Sequence, residues 1–455
     1  MLTVASPSTT TVHELANDAP LHRLAPALAG LPGLALLEGD ETGFGYLTAD
    51  PIDRFRWSTG GAESALAGPL APSTGFAALS AWLAQYRAET LPNLPPFQGG
   101  AIGQIDYEAG YALDRVRGAR VPAGTDIARF HLYDWVVARD NRAGRNWLIC
   151  RGFDPRPNRT RGDRRALFEA AIPNDSPADS KPTPIHSDID ADRYAAMVER
   201  ALDYITAGDI YQVNLSRRFQ GRLPLPAFQV YERLQTRYPA PMAAFLCDGR
   251  RATISISPET FLHGDRHHIE TRPIKGTRPR SAGPDEDQRL VDDLRNSPKD
   301  RAENVMIVDV LRNDLGRIAA TGSVHVPELV GLRTLPTVHH LESRVVAAPR
   351  PGVTPADVLA ACFPGGSVTG APKIRAMEII AELEPVPRGG YCGAIAAIGF
   401  DGHLSSSIAI RTIYAAGDRF QFHAGGAIVA DSDPADEYVE TEHKAAALRQ
   451  ILGGG

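Results

Sequence analysis

The chain has 455 residues, 43% hydrophobic and 22% charged, enough to bury one large core or two modest ones, which excludes a disordered polymer. Its 48 basic and 54 acidic residues leave a net charge of −6, a balance that suits neither nucleic acid nor an anionic membrane surface and favours a small ligand. Cys150, Cys247, Cys362 and Cys392 lie far apart without CxxC spacing, and no run nears the roughly 18 apolar residues of a membrane helix, so a cytoplasmic protein is expected, neither exported nor membrane-spanning.

In chain order, GLALLEG (33–39) and FQGGAIGQIDYEAGYAL (97–113) mix short apolar runs with glycine, as strands and turns do. The polar, proline-rich stretch 154–186 reads as a linker or surface crossing, dividing the chain into 1–153, the linker, and 187–455. Helical periodicity from Asp192 to Ala207 leads into a strand in GDIYQVNLSRRF (208–219), and ATISISPETFLHGDRHHIET gives two strands around the Gly264–Asp265 turn. Ser297-Pro298-Lys299-Asp300 is a helix start, with Asp300 accepting a backbone N–H, and the helix should run to about Asn313, with Gly316 beyond its end. AIAAIGF, LSSSIAIRTIY and FQFHAGGAIV, separated by Asp401-Gly402 and Gly417-Asp418, form a three-strand antiparallel meander, and Asp433-Pro434 opens a last helix. The class is α/β or α+β, with large antiparallel sheets packed by helices.

Several residues break these patterns. Only five basic residues are lysines (Lys181, Lys275, Lys299, Lys373, Lys444), so a lysine is the marked choice where arginine is the default cation, and only lysine readily sheds its proton to attack carbon. Lys275 stands between Ile274 and Gly276 at the end of a strand, where desolvation favours the free amine; the surrounding run TRPIKGTRPRS also reads as a solvated basic loop. Glu303 shares a helical face with Met306, Ile307 and Val310 and needs an arginine partner or a cation. Glu437 and Glu440 lie on the stripe of the last helix whose far end is apolar, and with Glu303 they make a hard-oxygen set suited to Mg²⁺; a solvated acidic first turn is the other reading. Arg411, alternating with Ser405, Ser407, Ala409 and Ile413, wants a carboxylate from either protein or substrate. GGSVTGAPKIRAMEII (365–380) sets a glycine-rich turn before a helix beginning at Pro372; Ala371 stands where a phosphate loop needs lysine, so a carboxylate-binding turn or a plain capped helix start remain.

These motifs, with ISPETF, DRAENVMIVDVLRNDLGRI, VHHLESRVV, YCGAIAAIGF and DSDPADEYVETEHKA in the same order, resemble the chorismate-utilising enzymes, densely over 190–450 and more weakly over 1–150 in LALLEGDE and GGAIGQIDYEAGY. The resemblance implies an α+β fold whose large antiparallel sheets form a sandwich-like core flanked by helices. It also implies Mg²⁺ ligands at Glu303 and Glu440 with Glu437 close by, and a substrate-carboxylate clamp of Arg411, Tyr391 and the amides around Gly425 and Gly426. His340 is similar to the family's active-site histidine, Ser367 and Thr369 lie in the turn beside the substrate ring, and Glu259 is the implied general acid. Gln212 stands where isochorismate-forming relatives carry a lysine base. PIKGT, with Lys275, is the aminodeoxychorismate-forming pattern, where anthranilate synthases have PIAGT.

The implied reaction is amination of chorismate to 4-amino-4-deoxychorismate, a precursor of 4-aminobenzoate and folate, through a covalent Lys275 adduct, with ammonia from a separate glutaminase subunit. Lys275 argues against anthranilate synthase component I. The presence of Glu259, Glu303, Glu440 and Lys275 together argues against a non-catalytic chorismate-binding subunit. The chain departs from the family pattern at Gly39, where LLES is usual, which leaves tryptophan binding open, and at Ala427, where glycine is frequent.

Overall fold

The computed structural model describes residues 10–39, 42–71, 75–114, 116–119, 121–154, 164–169, 183–335 and 338–453. They build two twelve-stranded sheets, antiparallel at every pairing. In the first, the order runs from Thr11–Glu14 through Leu34–Leu37, Met242–Asp248, Arg251–Ser257, Thr412–Ala416, Arg419–Ile428 and Gln212–Arg222 to Ile185–Ser187. The second runs from Ile274–Pro279 through Val338–Ala347, Thr260–Gly264, Leu404–Ile408, Ala394–Gly399 and Gly100–Ile105 to Gly68–Pro69. Strands from both halves of the chain are neighbours in each sheet: Leu34–Leu37 beside Met242–Asp248, and Gly100–Ile105 beside Ala394–Gly399.

The sheets meet over a core that mixes alanines (Ala35, Ala138, Ala244, Ala397, Ala409) with Ile102, Val136, Ile149 and Ile395 and the rings of Tyr46, Phe97 and Tyr133. Helices cover the outer faces. Ala227–Arg237 and Pro434–Leu452 lie on the first sheet, and Pro298–Gly316 lies against Val338–Ala347 of the second. The last helix buries Glu437, Thr441, Ala445, Leu448 and Leu452, so of the expected stripe Glu437, Thr441 and Leu448 face inward, while Glu440 and Ile451 are only partly buried and Lys444 is exposed.

Some boundaries differ from the sequence expectation. The helix after Ser297 continues through Gly316, and the Ser297 side chain accepts from the Asp300 N–H at 3.2 Å while the Asp300 carboxylate turns to Arg278. Pro372 is the cap of the helix Lys373–Leu383 and not its first residue. Of 154–186, the described part holds a short helix, Arg164–Glu169, and the start of Ile185–Ser187; the rest lies outside the described residues.

The larger differences concern two strands. ATISISPETFLHG is not one strand but two: Arg251–Ser257 ends in the first sheet and Thr260–Gly264 begins in the second, with Pro258 and Glu259 crossing between them. LSSSIAIRTIY likewise divides, with Leu404–Ile408 in the second sheet and Thr412–Ala416 in the first. The meander is therefore shared between two sheets, and Arg411 sits in the crossing and not in an alternating strand. It takes φ 49°, a left-handed conformation that costs a non-glycine residue about 1–2 kcal/mol.

The strand Gln212–Arg222 has an outer edge paired only at its ends, by Gly370–Ala371 and by Ile185–Ser187. Between them a buried ion pair takes over: Arg388 Nη2 donates to Asn214 O at 2.7 Å, Ser216 N donates to Glu384 Oε1 at 2.9 Å, and Arg388 and Glu384 bind each other at 2.7 Å.

Candidate active site

The two crossings lie side by side. Ile408 N donates to Glu259 O at 3.1 Å, Ile256 N to Arg411 O at 3.1 Å, and Ser257 Oγ to Ile408 O at 2.6 Å. Chain that moves from one sheet to the other leaves its ladder, so the side chains at the break are free to face one shared space.

Glu259 is buried at its crossing, and Ser367 Oγ donates to its Oε1 at 2.6 Å. Burial pushes its pKa up to about 7, against the opposing pull of the Ser367 hydrogen bond and of Lys275, with Glu342 adding to the rise. About half of such carboxyls keep their proton at pH 7. Arg411 is the opposite case. Among the described residues no carboxylate pairs with it, and burial lowers its pKa. The protein-carboxylate reading of Arg411 therefore finds no partner in the fold.

Lys275 is the second residue of Ile274–Pro279, opposite Leu341. Its Nζ lies 3.4 Å from Glu303 Oε2 and 3.5 Å from Gln212 Oε1, and its side chain is 11% exposed. The ladder shifts register between Lys275 and Thr277, and Gly276 there has φ 79°; a side chain at that position would meet Asp300 and Leu294 at 2.9 Å. The rest of the basic run is ion-paired, Arg272 with Glu270 and Glu342, Arg278 with Asp293 and Asp300, Arg280 with Asp287, and its end at Pro279 and Arg280 is exposed as a solvated loop would be.

His340 faces Thr277, with Nδ1 2.9 Å from its hydroxyl, and burial together with Arg411, Arg333 and His339 pushes its pKa down to about 4. It is a neutral imidazole at pH 7. Gln212 is fully buried, and its Nε2 has no protein partner. Thr369 spends its hydroxyl inside the turn, on Gly365 O at 3.0 Å and Gly366 O at 3.3 Å, and so shapes the turn that holds Ser367.

Glu437 receives Ser432 Oγ at 2.6 Å on Oε1, while its buried Oε2 has no protein partner. A methyl on Gly426 would stand 2.8 Å from that oxygen and 3.6 Å from Glu440 Oε1, so the two carboxylates converge over a glycine. Glu440 is half-exposed; burial raises its pKa, but Lys444, Lys299 and Lys275 outweigh that and hold it low. Lys444 bonds Glu440 at 2.5 Å and Gly425 O at 3.1 Å. Glu303 is turned to Lys275, and among the described residues no three carboxylates, imidazoles or thiolates gather as a metal site. An ion that keeps most of its waters needs only one or two carboxylates, which Glu437 and Glu440 supply.

Tyr391 is buried and stacks on His423, ring centroids 5.1 Å apart. Four neighbours of this region escaped the sequence reading: Ser216, Glu384, Arg388 and His423. Glu384 and Arg388 have the spacing of a helical ion pair, but Glu384 ends its helix, so no periodicity marked them. Lys373, marked by its rarity, is structural: it binds Asp314 at 2.6 Å and Cys362 O at 2.9 Å.

Fold and site together are those of an enzyme that recognises a small carboxylated substrate between two sheets. The model of the chorismate binding enzymes matches residues 35–450, and the chain belongs to that family; it is a chorismate-utilising enzyme. It is 42% identical to aminodeoxychorismate synthase component 1 of Salmonella typhimurium over 79% of both chains, and 40% identical to that of Escherichia coli over 77% of this chain and 76% of the relative. Anthranilate synthase component 1 of Streptomyces coelicolor is 37% identical over 94% of this chain and 88% of its own. Among solved structures, anthranilate synthase component I from Streptococcus pneumoniae superposes with a TM-score of 0.80 at 30% identity, covering 91% of this chain and 93% of that one. No helix among the described residues is long and apolar enough to cross a membrane.

Proposed function

We propose that the chain replaces the C4 hydroxyl of chorismate with ammonia, giving 4-amino-4-deoxychorismate, and that Lys275 does so by forming a transient bond to C2. The observation that carries the reading is the placement of a lysine amine between Glu303 and Gln212, with the protonated Glu259 within its electrostatic reach. Lys275 attacks C2 as Glu259 gives its proton to the departing C4 hydroxyl. Ammonia then bonds C4, the C2–Nζ bond breaks, and the surplus proton returns to Glu259. Arg411, Tyr391 and the Gly425–Gly426 backbone hold the enolpyruvyl carboxylate, and neutral His340 with Ser367 lines the ring. A bound Mg²⁺, on Glu440 and Glu437 with Glu303 as the third candidate, would orient the ring carboxylate and screen its charge.

The relatives' designation as component 1 supports a glutaminase partner that supplies the ammonia. The test is incubation of the pure chain with chorismate, Mg²⁺ and ammonium salt, reading product mass and ultraviolet spectrum. A 4-amino product that keeps its enolpyruvyl group is expected; release of pyruvate with anthranilate would replace this reading by the anthranilate one.

A further inference from the structure

A cleft lined by strands of both sheets lies away from Lys275. A cleft of about 790 Å³ opens at the far end of Gln212–Arg222 and Arg419–Ile428, with Gln220, Gln421, Tyr414, Gly389 and Gly390 in its wall. Alternate residues of those two strands lead from it toward the site: Gln421, His423 and Gly425 on one, Gln220, Arg218, Ser216, Asn214 and Gln212 on the other. Midway stands the stack of His423 on Tyr391, interplanar angle 12°, the two residues 3% and 4% exposed.

The wall is thin. Gly390 lines the cleft, and two residues on, Cys392 N donates to Ala409 O in the crossing that carries Arg411. On the cleft side the Tyr414 ring lies 2.3 Å from where a side chain on Gly390 would begin. His423 is braced from behind: its Nδ1 lies 3.4 Å from Ser216 Oγ, which donates to Glu384, the partner of Arg388. Burial, with Arg388 and Arg218 nearby, pushes its pKa down to about 3, so the ring is neutral. Its Nε2 is buried without a partner among the described residues.

We propose that His423 is a specificity-determining residue, which, packed behind Tyr391, keeps the water of the cleft from the Lys275–C2 adduct, so that ammonia opens that adduct and water does not. The inference rests on the lysine mechanism above. When ammonia attacks, a C4–N bond forms and the C2–Nζ bond breaks. When water attacks, a C4–O bond forms, the same C2–Nζ bond breaks and one proton is lost, which returns chorismate carrying a solvent oxygen at C4. The original oxygen has already left as water with the proton from Glu259. Nothing is oxidised or reduced.

The full chain, turned over with chorismate, Mg²⁺ and ammonium salt in ¹⁸O-water, gives the readout: the ratio of labelled chorismate to 4-amino product. His423→Ala and His423→Ser should raise that ratio by roughly tenfold, while His423→Phe, which keeps a flat ring on Tyr391, should stay within about twofold of the parent. A merely structural role would slow both outcomes and leave the ratio unmoved. The parent ratio in both small variants overturns the proposal. Should those variants fail to fold, Ser216→Ala loosens His423 without removing it; a ratio above the parent's supports the partition and an unchanged one overturns it. If amination proceeds and only the ratio fails to move, this inference alone falls; if the parent makes no 4-amino product, the lysine mechanism falls and takes the inference with it.

Discussion

The two strand crossings make the same move between sheets and equip it oppositely. At one, Glu259 is buried, given a hydroxyl partner and left about half protonated at pH 7. At the other, Arg411 is held in a left-handed turn with no carboxylate among the described residues to meet it. One crossing stores a proton and the other an uncompensated positive charge, and a substrate with a leaving hydroxyl and a carboxylate satisfies both. Burying a charge without a partner is expensive, so a fold that keeps Arg411 in this way is paying for an anion that arrives from outside.

The largest test of that contrast removes Lys275, the proposed nucleophile. Lys275→Ala should lower 4-amino-4-deoxychorismate formation on the order of 10³-fold and open C2 to ammonia itself, giving a product with nitrogen at C2, seen by mass and ultraviolet spectrum. Lys275→Arg keeps the charge without the nucleophile; a rate near the parent's would mean that the lysine acts only as a cation. Glu259→Gln should cost about 10²–10⁴-fold in kcat with little change in the thermal midpoint. The parent's kcat/KM should fall as pH rises through about 7, because the carboxyl then loses the proton it must donate, and this descending limb should disappear from the residual activity of Glu259→Gln.

Carboxylate removal at Glu437 or Glu440, as Glu→Gln, should raise the Mg²⁺ concentration needed for half-maximal rate by about 10–100-fold without unfolding the chain. Full activity of the parent in excess chelator would remove the metal from the mechanism. Arg411→Met should raise KM for chorismate by roughly tenfold or more with a smaller effect on kcat, as expected of a group that binds the carboxylate and not the reacting carbons. An unchanged KM would mean that the open charge at the second crossing serves something other than substrate.

Much of this site was legible because its residues violate their surroundings. A lysine in an arginine-rich chain and glutamates on apolar stripes stand out from composition and period alone, and the inward face of Glu437 follows from the apolar end of its helix at Leu448 and Ile451, though the buried row runs on to Leu452 and not to Ile451. The crossings were not legible. Transfer from one sheet to the other needs only a local turn, at Pro258–Glu259 in one case and at Arg411 in the other, and no glycine or polar cluster announces the second. Leu404–Ile408 is buried throughout and Thr412–Ala416 over most of its length, and Ile408 and Thr412 are four residues apart, so period 2 persists through LSSSIAIRTIY while the strand changes partners. His423 and Arg388 were hidden for a different reason: their partners, Tyr391 and Asn214, lie 32 and 174 residues away along the chain.

The ion pair of Arg388 and Glu384 has a consequence beyond the site. The backbone groups it occupies belong to a stretch of Gln212–Arg222 that no strand reaches on its outer side, and that stretch is buried, with Asn214 and Ser216 only 7% and 2% exposed. Water cannot replace a lost partner there, and a buried backbone group without one is costly. Loss of Arg388 would then show itself as a lower melting temperature of the empty enzyme, before any substrate was added.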